Sequence, residues 1–170
     1  MDAEARRKMA LELLRTAEKP LSAGTLAARF HVSRQIIVGD VALLRAAGEE
    51  ILATPRGYIL GPSAPGLVRR VVCRHGAEEM GVELNAIVDQ GCTALDVIVD
   101  HPLYGQLTGP LQLANRYDVG QFLKRAARSH AHPLSDLTGG IHLHTLSCPD
   151  EAAYERVRQS LRDLRILLED

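Results

Sequence analysis

Four residues beyond the first sixty positions, His75, Glu83, His142 and His144, carry side chains that bind transition metals. His142 and His144 are one residue apart, so in a β-strand both imidazoles would project from the same face and could reach one ion. His75 follows the apolar run 71–73, and Glu83 comes two helical turns later in a stretch with the pattern of a helix. Three imidazoles and one carboxylate suit a borderline divalent ion such as Zn, Ni, Co or Fe(II).

The same histidines also have a plainer interpretation. A single histidine is more often a surface group or a hydrogen-bonded core residue than a metal ligand, and His-x-His on a strand is a moderate signal by itself. The spacing therefore predicts a metal centre only if the fold brings residues 75–83 and 142–144 together.

The elements that must position these residues follow a turn-rich segment. Residues 61–66, Gly-Pro-Ser-Ala-Pro-Gly, predict a linker between one domain over residues 1–60 and another over residues 67–170. In the second domain the hydrophobic periodicity predicts the order β-α-β-β-α-β-α, which is typical of a ferredoxin-like two-layer α+β sandwich. The predicted segments are strand 67–73, helix 78–89, strands 94–99 and 105–113, helix 119–127 capped by Asp118, strand 141–146, and a helix opening at 148–151.

The first sixty residues predict a winged helix-turn-helix. A helix over residues 3–17 precedes two short helices, for which Ser22 and Ser33 are the expected N-caps. The two short helices are separated by three residues, and residues 51–60 form a hairpin that serves as the wing. A three-helix module that binds protein instead of DNA is the plainer alternative.

The second of the two short helices is the expected recognition helix. Its Arg34 and Gln35 can make bidentate contacts with guanine and adenine edges in the major groove, and Arg56 at the wing tip can meet phosphate or the minor groove. The residues predicted to lie at the DNA interface are Ser22, Ser33, Arg34, Gln35, Val38 and Arg56.

Charge and cysteine content limit the function classes. The net charge is −1, with 9 basic and 7 acidic residues in positions 1–60, too small an excess to identify a DNA-binding surface by itself. The three scattered cysteines, Cys73, Cys92 and Cys148, predict reduced thiols in a cytoplasmic protein. We interpret them as buried small hydrophobes that take no part in the metal site, because none lies near the histidines in sequence. The start of the chain lacks an apolar leader, and no apolar run approaches ~18 residues, so neither secretion nor a membrane span is expected.

Two motif sets resemble known families. Residues 26–35, Leu-Ala-Ala-Arg-Phe-His-Val-Ser-Arg-Gln, resemble the biotin-repressor-like winged helices, and the resemblance covers about residues 4–60. One departure is Gly39, where that class usually has a polar or basic residue before the aspartate that matches Asp40. Glycine removes a possible phosphate contact there and weakens the helix by ~1 kcal/mol relative to alanine, so DNA binding could be differently tuned.

The second part of the chain resembles the 3H domain. The resemblance is carried by residues 83–91, by His101-Pro-Leu-Tyr-Gly105, and by residues 133–144, which end in Ile-His-Leu-His. A biotin-repressor-like winged helix followed by a 3H domain is similar to the NiaR (YrxA) family of bacterial repressors of niacin uptake and NAD synthesis. That resemblance implies that His75, Glu83, His142 and His144 ligate a metal, for which Ni or Zn is favoured. It also implies nicotinic acid as corepressor and repression at operator DNA, for which we expect a homodimer.

The resemblance leaves the effector site and the role of the metal open. We predict that nicotinic acid, through its carboxylate or its pyridine nitrogen, binds at or beside the metal, with His101, Tyr104, Ser135 and Thr138 as contacts. His101 could equally have a structural role, and Tyr104 could be a core residue. The alternatives are a metalloregulator whose effector is the ion, a structural metal site, and a metal-dependent enzyme fused to a DNA-binding domain. We do not expect an enzyme, because the chain has neither a nucleophile–base motif nor a glycine-rich phosphate loop.

Overall fold

The computed structural model describes residues 2–61 and 66–169 and divides the chain into two compact units, Met1–Ser63 and Ala64–Asp170. Residues 62–65, the greater part of the predicted linker, lie outside the described residues, so the linker stays a prediction.

The first unit contains three helices and a two-stranded hairpin. Asp2, Ser22 and Ser33 cap the three helices through their side-chain oxygens, as expected for Ser22 and Ser33. Ile37, Val41 and Leu44 of the third helix are buried, as their i, i+4, i+7 spacing predicts. The elements are α1 (Ala3–Thr16), α2 (Ala23–Phe30), α3 (Arg34–Ala46), β1 (Ile51–Thr54) and β2 (Gly57–Leu60).

The second unit is a four-stranded antiparallel sheet with three α-helices and two short 3-10 helices. The sheet order is β3-β6-β4-β5, so each βαβ unit of the chain is split by a strand from elsewhere in the sheet. The structure confirms the predicted α+β class. The elements are β3 (Leu67–Arg74), a 3-10 turn (Ala77–Glu79), α4 (Met80–Val88), β4 (Thr93–His101), β5 (Gly105–Leu113), α5 (Arg116–Ser129), a second 3-10 helix (Leu134–Thr138), β6 (Ile141–Cys148) and α6 (Glu151–Asp163).

The core of this unit joins the three helices to alternate residues of the strands. In β3 and β6 the core positions are Val71 and Cys73, and Leu146 and Cys148, which is the period of two expected for strands with one buried face. They pack with residues of all three helices, which are Leu84, Ile87 and Val88 of α4, Val119 of α5, and Ala153, Val157 and Leu161 of α6. Because positions 142 and 144 share the parity of 146 and 148, both histidines belong to this buried face.

One predicted helix start is wrong. Helix α5 begins at Arg116, where Asn115 is the N-cap, whereas we predicted that it begins at Val119 with Asp118 as the cap. The Asn115 side chain accepts a hydrogen bond from the backbone N–H of Asp118, and the Asp118 carboxylate accepts one from the N–H of Ala114. The pair forms a reciprocal capping arrangement in which the aspartate is the inner member.

Candidate metal centre

The histidine cluster is built from the register of two neighbouring strands and the first turns of α4. His144 lies opposite Val71 and His142 opposite Cys73 in the β3–β6 ladder, and His75 follows the end of β3. Helix α4 then brings Glu83 over the same end of the sheet, where its side chain is 1% exposed. The structure therefore brings together all four residues singled out from the sequence.

A glycine permits the two strand ends to approach this closely. Gly140 has a φ of +93°, and a Cβ at this position would lie 2.5 Å from the backbone oxygen of His75. The backbone N–H of His75 donates to the Gly140 carbonyl across this contact. A side chain at position 140 would therefore push β6 away from His75.

The three imidazoles surround one carboxylate. The Nε2 atom of His75 lies 2.5 Å from Oε2 of Glu83, and the Nε2 atoms of His142 and His144 lie 2.7 and 3.1 Å from Oε1. All four side chains are at most 3% exposed. The rings of His75 and His142, and those of His142 and His144, meet edge to face with centroids 4.7 and 4.9 Å apart.

The far nitrogen of each ring faces a backbone carbonyl. The Nδ1 atoms of His75, His142 and His144 lie 2.6, 2.8 and 2.7 Å from the carbonyl oxygens of Gly76, Gly140 and Asp96. A carbonyl only accepts, so each Nδ1 carries the hydrogen and donates it. In the neutral ring this leaves the Nε2 lone pair directed at Glu83, whose carboxylate is also an acceptor.

Such an arrangement of acceptors needs a positive charge between them, either protons on the Nε2 atoms or a metal ion. His144 makes the need clearest, because among the described residues its buried Nε2 has no hydrogen-bond partner of acceptable geometry, despite lying near Glu83. The donor set fits a metal: donors bound to one ion at about 2.0–2.1 Å lie roughly 3 Å apart, close to the spacing found here.

The charges of the cluster stabilise each other. Burial disfavours the ionised form of Glu83, but the nearby His144, His142 and His75 outweigh burial and hold the pKa of this carboxyl well below its usual range. Burial likewise disfavours protonated His75, yet its contacts with Glu83 raise its pKa overall. Glu83 is therefore an anion, as a metal ligand must be.

We interpreted all three cysteines as uninvolved in the candidate metal site, but the structure places Cys73 beside two of its residues. Ligand atoms of Cys73, Glu83 and His142 all lie within 4.8 Å of one another. Burial raises the pKa of the Cys73 thiol, and the charge of Glu83 adds to this effect. Cys73 is brought to the cluster by the pairing of β3 with β6, in which it lies opposite His142.

The predicted effector residues form two pairs. His101 and Tyr104 lie at the β4–β5 turn with their rings stacked 4.9 Å apart, and His101 Nδ1 accepts from the backbone N–H groups of residues 103 and 104. Tyr104 is 71% exposed, so it is not a core residue. Ser135 and Thr138 belong to the second 3-10 helix, where the Thr138 hydroxyl donates to the carbonyls of Ser135 and Ile141.

An open cavity lies next to the histidine cluster and includes none of these four residues. Its volume is about 480 Å³, and it is lined by Arg74, His75, Gly76, Asp136, Gly139 and Gly140. Arg74 is an exposed cation one residue from His75. Arg74 was not among the predicted site residues, because it falls on the opposite face of β3 from Cys73 and the other residues with metal-binding side chains.

The residues predicted to contact DNA divide into helix caps and exposed side chains. The hydroxyls of Ser22 and Ser33 accept hydrogen bonds from the backbone N–H groups of Thr25 and Ile36. Arg34, Gln35 and Val38 are exposed on α3. Arg56 lies in the tight turn between β1 and β2 and is half-buried. Among residues 2–61 and 66–169, none of the helices has the length and apolar content needed to cross a bilayer.

Comparison with known proteins agrees with this architecture. The helix-turn-helix (HTH) domain family matches residues 6–59, and the 3H domain family matches residues 68–170. The chain is 39% identical over 165 residues to the "Probable transcription repressor NiaR" of Thermotoga maritima, which covers 97% of this chain and 94% of the relative. It is 41% identical over 169 residues to the "Transcription repressor NadR" of Bacillus subtilis, with the same coverage.

Both relatives are transcription repressors, which confirms the prediction of a regulator and not an enzyme. The chain therefore belongs to the NiaR/NadR family of transcription repressors and carries a DNA-binding helix-turn-helix domain followed by a 3H domain.

Proposed function

We propose that this chain is a cytoplasmic, metal-dependent repressor of niacin uptake and NAD synthesis genes that binds operator DNA as a homodimer, with nicotinic acid as corepressor. The observation that carries the proposal is the set of three buried Nε2 atoms that lie 2.5, 2.7 and 3.1 Å from the Glu83 carboxylate. Four convergent acceptors in a dry site are stable only around a positive charge, because buried acceptors without a donor are costly.

His75, His142, His144 and Glu83 would hold a divalent transition metal, with Ni or Zn favoured by the nitrogen-rich donor set. The ion would supply a Lewis-acidic centre that neutralises Glu83 and accepts a further donor. The backbone carbonyls bonded to the three Nδ1 atoms fix the orientation of the rings, so the ligands are pre-organised.

Nicotinic acid would bind beside this centre, near the 3-10 helix that holds Ser135 and Thr138. Its carboxylate distinguishes it from nicotinamide, because only the acid offers a negative charge to the metal or to a cationic side chain. His101 and Tyr104 remain proposed contacts at the β4–β5 turn. Their rings are stacked and Tyr104 is exposed, so the pair could contact a flat heteroaromatic ring.

The DNA half of the proposal rests on α3. Arg34 and Gln35 would contact base edges, Val38 would meet a thymine methyl group, and Arg56 would contact the backbone or minor groove. Ser22 and Ser33 begin the two helices of the motif, where free N–H groups can meet phosphate. A homodimer would place two such helices about 34–36 Å apart in successive major grooves. The two affinities are linked: if the effector raises the affinity for operator DNA by some factor, operator DNA raises the affinity for the effector by the same factor.

The burial of the cluster favours a second candidate, a metalloregulator whose effector is the ion itself. All four proposed ligands are at most 3% exposed, which leaves little access for direct coordination of an organic effector. Gel-shift titration separates the two functions. We expect metal alone to give weak operator binding, and metal with nicotinic acid to give strong binding; full binding with metal alone would favour the metalloregulator.

Elemental analysis of the purified chain identifies the ion before that titration. Nicotinamide at equal concentration is the matched control ligand. If chelation unfolds the second unit, as circular dichroism would report, the metal has a structural role instead. If neither metal nor nicotinic acid alters operator affinity, the proposed function is wrong.

A further inference from the structure

We infer that Cys73 is an additional ligand of the proposed metal centre, binding the ion through its sulfur together with Glu83 and His142. The inference rests on the proposed metal-dependent function. It adds a donor of a different chemical class to the three imidazoles and the carboxylate, and so changes which ions the centre can select.

The strand register places this thiol inside the cluster. Cys73 is the direct cross-strand partner of His142 in the β3–β6 ladder, and it shares the face of β3 that leads to His75. Its side chain is fully buried, and its sulfur lies within 4.8 Å of ligand atoms on both Glu83 and His142. A modest inward shift of these atoms would bring the sulfur to about 2.3 Å from a shared ion, the usual zinc–thiolate distance.

A second observation points to a ligand in the same space. The buried Nε2 atom of His144 is directed at the cluster and finds no partner of acceptable geometry among the described residues. An ion that satisfies this nitrogen and Glu83 lies within reach of the Cys73 sulfur, because Glu83 is 3.1 Å from His144 and its ligand atom lies within 4.8 Å of the sulfur.

Charge balance favours thiolate coordination. A divalent ion with one carboxylate and three neutral imidazoles leaves a net charge of +1 among side chains that are at most 3% exposed. An uncompensated buried charge is costly, and a thiolate neutralises it. On coordination the S–H bond breaks, the proton passes to solvent, and the sulfur lone pair forms the bond to the ion, so no oxidant or reductant is needed.

The other two cysteines serve as internal controls. Cys92 and Cys148 are also buried and interact with each other, but among the described residues they belong to no group of potential metal ligands. A centre that includes Cys73 should prefer thiophilic ions such as Zn, Co and Ni over Mg and Mn, which favour oxygen donors.

The test is optical spectroscopy of the full chain loaded with Co(II). We expect the wild type and the Cys92→Ser control to show a near-ultraviolet sulfur-to-cobalt charge-transfer band, and Cys73→Ser to lose it while keeping the visible d–d bands. Cobalt content is measured on each sample. Bound cobalt with d–d bands but no charge-transfer band in the wild type would overturn the inference and leave the metal centre intact. Failure of the wild type to retain cobalt would reject the metal-dependent function together with the inference.

A measurement on the wild type alone covers the case in which Cys73→Ser does not fold. X-ray absorption of the zinc-loaded chain should contain one sulfur scatterer at about 2.3 Å in addition to nitrogen and oxygen at about 2.0–2.1 Å. A first shell of nitrogen and oxygen only would overturn the assignment of Cys73.

Discussion

Arg6 of α1 binds the buried Asp40 of α3 through two hydrogen bonds, one of 2.6 Å from Nε to Oδ2 and one of 3.2 Å from Nη2 to Oδ1. Arg7 adds a longer contact of 3.6 Å to the same carboxylate. The fork–fork pair ties α3 to α1. The position of α3 thus depends on a polar contact as well as on its apolar face.

We expect Arg6→Ala to lower the unfolding midpoint of the first unit and to weaken operator binding, because it leaves the Asp40 carboxylate buried without its bidentate partner. Arg7→Ala is the matched control and should have a smaller effect, since its contact is longer. Thermal unfolding by circular dichroism and operator titration measure the two effects. If Arg6→Ala and Arg7→Ala lower the unfolding midpoint and the operator affinity equally, the Arg6–Asp40 pair does not position α3.

If side chains of α3 contact base edges, their removal should reduce the preference for operator over unrelated DNA. Gln35→Ala should reduce discrimination between operator and unrelated DNA by about 1–3 kcal/mol, because a bidentate base contact is lost. Arg56→Ala should weaken binding to both DNAs alike and reduce the salt dependence by about one phosphate contact. Competition titrations of operator against unrelated DNA at several salt concentrations distinguish the effects of the two substitutions. A Gln35→Ala variant with unaltered discrimination would remove this residue from the interface.

The first sixty residues could be interpreted almost completely from the sequence, because helix caps and apolar spacing are local signals. Ser22, Ser33 and the face formed by Ile37, Val41 and Leu44 were all predicted from neighbours a few positions away. The Arg6–Asp40 contact was missed because its partners are 34 residues apart and no local pattern joins them.

The residues of the candidate metal centre could be predicted from the sequence, but their geometry could not. His142 and His144 are paired by strand periodicity, whereas their approach to His75 and Glu83 depends on the β3–β6 register, which the sequence does not specify. The same dependence explains why Cys73 was assigned to the core alone. Its position opposite His142 exists only once the two strands are paired.

The close approach of Gly140, before β6, to His75, after β3, predicts that a side chain at position 140 is not tolerated. Gly140→Ala should destabilise the second unit by roughly 2–3 kcal/mol and reduce metal retention, because its Cβ would strike the His75 backbone at a positive φ. Gly139→Ala is the matched control: its φ is +62°, a Cβ there meets nothing within 4 Å, and the expected cost is about 1 kcal/mol. Denaturant unfolding and metal content report the difference. Similar losses in both variants would argue against the contact as the cause.

Removal of the central carboxylate predicts loss of the ion. Glu83→Gln keeps the shape of the side chain but removes its charge. Loss of a residue that hydrogen-bonds to a metal ligand typically lowers metal affinity about 10–100-fold, and loss of Glu83 itself should lower it by more. Glu79→Gln, an exposed acid at the start of α4, is the control and should leave affinity unchanged. Competition with a chromophoric chelator gives the affinities. Unchanged affinity in Glu83→Gln would place the ion elsewhere.

The cavity beside His75 predicts a role for Arg74 in the effector response. Arg74→Ala should weaken binding of nicotinic acid while the metal content stays constant, because the guanidinium lines the cavity and can pair with a carboxylate. Arg69→Ala is the control on the same strand, since Arg69 pairs with Glu151 instead. Calorimetry with nicotinic acid and nicotinamide measures both. If Arg74→Ala binds nicotinic acid with wild-type affinity, Arg74 does not contact the effector, and the site at His101 and Tyr104 is favoured instead.

The most direct test of the account is operator affinity at a fixed, saturating concentration of nicotinic acid, measured on one wild-type preparation as purified, after chelation, and after return of the ion. We predict tight binding, then loss of binding with the second unit still folded, then recovery. Operator binding that is equally tight after complete removal of the metal would contradict the claim that the His75, Glu83, His142 and His144 cluster controls repression through a bound ion.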